Sequence, residues 1–143
     1  MSAIDRIAEF HDELTAFRRD IHAHPELGFA ESRTAERVAA ELERYGIEVH
    51  RGVGRTGLVG VLQAGTSSRR IGLRADMDAL PIEEGNTFEH RSRHAGRMHA
   101  CGHDGHTTML LGAARHLAAT RNLTAPCTSS SSRPRKGWAG RRR

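Results

Sequence analysis

The chain reads as an α/β protein, a sheet covered by helices, and three observations predict this. Two stretches near the start repeat apolar residues every three or four positions. The middle third changes to short apolar runs bounded by glycine, serine and threonine. A last helical period follows, through Met109, Leu110, Ala113, Ala114 and Leu117. Helix, helix, strand, strand, strand, helix is an α/β order, and so few elements point to an incomplete domain.

The first helix is carried by Ile4, Ile7, His11, Leu14, Phe17 and Ile21 and ends at His24-Pro25, because a residue before proline is pushed out of the α region. The second runs from about Glu31 to Tyr45, with Ala35, Val38, Ala39 and Leu42 on one side and Gly46 as its stop. Residues 47–50, 57–62 and 70–76 read as strands, with a turn at Thr66-Ser67-Ser68.

The 143 residues carry a formal net charge of +5, unevenly placed. All 17 acids and 16 arginines fall within residues 1–122, a balance of −1, while six basic residues crowd into positions 133–143. The body is therefore near neutral and only the tail is basic. Two cysteines make no disulfide framework, and neither a leader-like apolar region nor a stretch of 18 apolar residues is present. A cytoplasmic, thiol-keeping protein with no membrane partner is expected.

Chemistry concentrates in Met98-His99-Ala100-Cys101-Gly102-His103-Asp104-Gly105-His106-Thr107. Thiolate, neutral imidazole and carboxylate are the donors that zinc-like divalent metals select. Gly102 lets Cys101 and His103 swing toward one point. The apolar helical run directly after places the cluster on a loop feeding a helix, with Asp104 as the expected N-cap. A second stretch, Arg74-Ala75-Asp76-Met77-Asp78-Ala79-Leu80-Pro81, carries two carboxylates off the C-terminal end of a strand, where open α/β sheets place their sites. Such a pair orients ligands around a metal or holds a proton of its own.

Together with His22-Ala23-His24-Pro25-Glu26-Leu27-Gly28, these motifs resemble, in order and spacing, the metal-dependent amidohydrolases that include hippurate hydrolases, N-acyl amino acid deacylases and auxin–amino acid conjugate hydrolases. The resemblance covers about residues 10–122. It implies the N-terminal part of a metallopeptidase-like catalytic domain, a mixed sheet flanked by helices, that family members interrupt with a smaller ferredoxin-like domain for dimerisation and lid closure. It implies hydrolysis of the amide bond of a small N-acyl amino acid, by water activated at two divalent ions, zinc or manganese. Carried over by residue, Cys101 and His103 match metal ligands, with the thiolate expected to bridge. Asp76 matches the catalytic-site aspartate and Asp78 a supporting carboxylate. His106 matches a motif residue behind the ligands. Intact members are expected to be homo-oligomers.

The family's Gln-Pro-Ala-Glu-Glu-Gly stretch supplies a general base and a further ligand, and later histidines complete the site. After Asn122 this chain instead reads Leu-Thr-Ala-Pro-Cys-Thr-Ser-Ser-Ser-Ser-Arg-Pro-Arg-Lys-Gly-Trp-Ala-Gly-Arg-Arg-Arg. One permitted codon set for that tail, read in a shifted frame, gives Asp-Gly-Thr-Val-His-Leu-Ile-Phe-Gln-Pro-Ala-Glu-Glu-Gly, which resembles the family at that point. Residues 1–122 are therefore expected to be the amidohydrolase portion. Residues 123–143 are expected to be a frameshift-derived, disordered tail that leaves the strand after Asn122 unmade and this chain inactive. Two other readings stay open: a cysteine hydrolase, with Cys101 as nucleophile and His99, His103 or His106 as base, and a basic-tailed binding module. The tail lacks the aromatic interleaving of a nucleic-acid binder, so no nucleic-acid partner is expected.

Overall fold

A computed structural model describes residues 2–66, 68–121 and 127–131. The chain opens with α1 (Ala3–Ala8), closed by a capping box in which the Asp5 amide donates to the Ser2 hydroxyl and the Ser2 amide to the Asp5 carboxylate. α2 follows as His11–Ala23. The single helix expected from Ile4 to Ile21 is thus two. Phe10 leaves helical dihedrals (φ −121°, ψ 20°) and is buried, with the Arg115 guanidinium 4.2 Å above its ring. Burying that ring outweighs continuing the helix; α1 touches α4 but buries none of its own residues, and Ile4 is exposed.

α3 spans Ser32–Arg44, and its free amides are satisfied from outside the helix. The Arg33 and Thr34 amides donate to the Glu26 carboxylate at 3.0 and 2.7 Å, and the Thr34 hydroxyl donates to it at 2.8 Å. Glu26 therefore ties the His-Pro-Glu turn to α3. Gly46, at φ +74°, ends the element where its sequence position predicts.

β1 (Glu48–Val53) and β2 (Gly57–Leu62) form an antiparallel hairpin with a register shift between Arg51 and Val53. β3 is Ile71–Ala75, α4 is His103–Thr120 and β4 is Cys127–Ser131. The sheet order is β1-β2-β4-β3, with β4 antiparallel to β2 and parallel to β3. α4 makes the crossover that a parallel pair requires. The sheet is mixed, as expected. Its central strand corrects the sequence reading, because residues 127–131 are paired strand and not disordered. Backbone pairing with β2 and β3 satisfies amides and carbonyls whatever the side chains are, so a serine-rich segment serves. The sheet accordingly crosses the boundary expected at residue 122. The remaining tail residues lie outside the described ones.

The core lies between helices and sheet, around Ile21, Val38, Leu42, Leu58, Leu62 and Leu111. α3 packs on β1 and β2, and α4 packs on β3, β4 and α2. Between β3 and α4 the chain has no helix, yet it is stitched in place. The Ala79 amide donates to the Glu26 carbonyl at 2.8 Å, Leu80 and Met98 exchange both backbone bonds, and the Arg93 amide reaches the Ala23 carbonyl at 2.9 Å. Among the described residues, no helix is long and apolar enough to cross a membrane.

Candidate metal centre

β3 ends at Ala75, and the chain continues extended through Asp76, Met77 and Asp78 beneath the first turns of α4. The Thr107 hydroxyl donates to the Asp76 carbonyl at 3.0 Å and fixes this extension to the helix. The two carboxylates then part. Asp76 accepts from the Arg74 guanidinium at 2.6 Å and stays partly exposed. Asp78 is buried and faces His103.

His103 is the first residue of α4. Its Nδ1 lies 2.9 Å from both the Asp78 carbonyl and the Asp78 carboxylate. Both partners are acceptors, so Nδ1 carries the proton and donates. In the neutral ring that leaves the Nε2 lone pair available, the tautomer a histidine ligand needs, with a carboxylate behind it to hold its aim. Gly102 before it is left-handed at φ +87°, a conformation glycine adopts freely, and Cys101 on its far side is a free, exposed thiol. His106 lies one turn on, exposed, with its ring 5.5 Å from that of His103. The structure therefore brings Asp78, His103 and His106 together and keeps Cys101 one residue away across the glycine. Asp76 is tied to the same helix by its carbonyl, through the Thr107 hydroxyl, while its carboxylate is paired with Arg74. Among the described residues no group of three or more histidine, cysteine, aspartate or glutamate side chains is placed to hold a metal.

Asp104 is not the N-cap that its sequence position suggests; Gly102 is. The Asp104 carboxylate turns into a buried network instead, accepting from Arg18 Nε at 3.2 Å and from His22 Nδ1 at 2.9 Å. His22 Nε2 meets Glu84 at 3.0 Å. Burial opposes the charge on His22, but the bonds to Glu84 and Asp104 outweigh it and hold its pKa above the ordinary value. Burial likewise opposes ionisation of Asp104, and the bond from His22 outweighs it, leaving that carboxyl below its usual range. His99 lies near, its ring 6.2 Å from that of His22. It is only 4% exposed, neither ring nitrogen has a protein partner, and burial pushes its pKa down to about 4. The sequence reading missed His22 and Glu84. The motif around His22 was visible, but its partners lie 62 and 82 residues away, and no local period announces them. As for the cysteine-hydrolase alternative, no hydrogen bond joins Cys101 to a histidine among the described residues, and His103 Nδ1 is committed to Asp78.

The model of Peptidase family M20/M25/M40 matches residues 72–128, from β3 through α4 into β4. Hippurate hydrolase of Campylobacter jejuni is 51% identical over 118 residues, 82% of this chain and 31% of that protein. The chain belongs to peptidase family M20. Another curated relative, the N-acyl-L-amino acid amidohydrolase of Geobacillus stearothermophilus, is 46% identical over 81% of the M20 chain and 31% of its own length. Among solved structures, the Bacillus subtilis YXEP protein, described as a dinuclear metal binding peptidase from the M20 family, superposes with a TM-score of 0.84. It is 36% identical, over 88% of this chain and 36% of that one. The chain thus spans about a third of the length of the relatives it matches. The α/β fold and the M20 membership stand as expected, and the named relatives are amide hydrolases.

Proposed function

We propose that this chain carries part of a metal-dependent amidohydrolase that cleaves the amide bond of N-acyl amino acids, with Cys101 and His103 as ligands of a divalent ion. The observation that carries the reading is His103 itself. Its Nδ1 proton is held by Asp78, which leaves Nε2 free at the mouth of a loop that also bears a free thiol. An ion of the zinc or manganese kind, two per complete site, would supply an acidified water and a polarised amide carbonyl there. Asp78 holds the His103 tautomer and aim, and His106 supports the same ring from one turn on. Asp76 is assigned as the catalytic-site aspartate on the family resemblance.

Two donors fall short of the three protein ligands that catalytic zinc sites normally present. The family's general base also has no counterpart in the reading frame of residues 123–143. We therefore read the 143-residue chain as inactive alone and its tail as a shifted frame. The full-length enzyme is read as an oligomeric cytoplasmic hydrolase of small substrates, with no nucleic-acid or membrane partner; the near-neutral balance of residues 1–122 supports this.

The test pairs this chain with a frame-restored full-length form, assayed on N-benzoyl and N-acetyl amino acids with zinc or manganese. Turnover is expected only from the restored form, and Cys101→Ser should lower its metal content and its rate together, by tenfold or more. Unchanged activity in Cys101→Ser removes the thiol from the ligand set, and metal-dependent turnover by the 143-residue chain overturns the inactive reading.

A further inference from the structure

We propose that His22 is a positioning residue for the metal-ligand loop: clamped between Asp104 and Glu84, it fixes the first turn of α4 and, through it, the aim of His103. The inference rests on the reading of Cys101 and His103 as ligands.

Both ring nitrogens of His22 face carboxylate oxygens, at 2.9 Å to Asp104 and 3.0 Å to Glu84. Carboxylates only accept, so both nitrogens donate and the ring is an imidazolium. All three side chains are nearly closed to solvent, at 9% exposure for His22, 1% for Asp104 and 3% for Glu84. Charge-assisted bonds in such surroundings are strong and directional. Each end of the clamp is anchored further. Arg18, one turn before His22 on α2, also donates to Asp104. Glu84 accepts from the Ser92 amide at 2.5 Å and from Asn86 at 2.9 Å. Phe88, His90 and His99 surround the ring, with centroids 5.6, 5.8 and 6.2 Å away.

Asp104 directly follows His103. The two side chains are gripped from different elements, His103 by the extension of β3 and Asp104 by α2. Gly102 gives the loop no rigidity of its own. The first turn of α4 is therefore held in rotation by these two grips, and releasing His22 removes one of them.

The test uses cobalt(II) titration of the 143-residue chain, read by the thiolate-to-cobalt absorption band. His22→Asn keeps an amide nitrogen where Nδ1 meets Asp104, and His22→Gln keeps one where Nε2 meets Glu84. The expected result is affinity within about threefold of the parent for His22→Asn and a loss of about tenfold or more for His22→Gln, the scale of outer-sphere substitutions. Equal losses in both, or none in either, overturn the proposal, since a merely structural role would lower both melting points alike. His103→Ala is the control on the underlying reading: if it binds cobalt as the parent does, the ligand assignment fails. The positioning claim is then decided by the His103 Nδ1 proton in NMR spectra, expected to be retained in His22→Asn and lost in His22→Gln. If His22→Gln does not melt cooperatively, Asp104→Asn takes its place, and parent-like affinity there overturns the proposal.

Discussion

His99 and His22 lie a ring's breadth apart and titrate in opposite senses. His99 stays neutral in the fold down to about pH 4, whereas the unfolded chain takes the proton near 6.5. Below 6.5 the unfolded state binds more protons, so stability falls as pH falls, by about 3 kcal/mol in all by pH 4. The folded pKa of His22 lies above 6.5, so its contribution is complete below 6.5 and is lost as pH rises through the folded value. From these two groups, stability should peak just above pH 6.5. Urea midpoints measured from pH 4 to 9 check this. His99→Leu should flatten the acid limb and raise stability there, because it also removes two buried nitrogens that lack protein partners. An acid limb unchanged in His99→Leu would assign the loss to other groups.

Two element boundaries depend on single residues. Gly102 holds φ +87° with open space around its α-carbon, so Gly102→Ala tests conformation without a clash. The left-handed penalty predicts a loss of about 1–2 kcal/mol in unfolding free energy, with weaker cobalt binding as the α4 entrance shifts. Glu26 caps α3 from outside that helix, and Glu26→Ala should cost about 1–3 kcal/mol, because three donors lose a charged acceptor at once. Protection of the Arg33 and Thr34 amides against hydrogen exchange reads this directly. Much at this scale was legible in the sequence. The period of α3, its stop at Gly46 and the apolar run of β2 are local signals, and the structure follows them. The break at Phe10 was not legible, since the buried ring packs under Arg115, which lies far along the sequence on α4. Asp104 was misread for the same reason: a carboxylate at a helix start looks like a cap until a partner on α2 claims it. Asp78 and His103, 25 residues apart, meet through a bond that no local period announces.

At the scale of the whole molecule, the sheet is completed by the strand that sequence composition disfavoured. Among the described residues, β2 and β3 touch through β4 and not directly, and the two halves of the sheet share no other strand. Ending the chain at Arg121 should therefore uncouple the hairpin from β3, and the thermal transition should broaden or split. A single sharp transition in that shortened form would show that β4 contributes little. The strand order also bears on how the molecule is born. Synthesis runs at about 5–20 residues per second, and the middle of this sheet leaves the ribosome after both its neighbours and the whole of α4. For that interval β2 and β3 each offer an unpaired edge to any passing strand. Ribosome-bound chains stalled just after Thr120 should be open to protease between β2 and β3, and chains long enough for Ser131 to clear the exit tunnel should resist it.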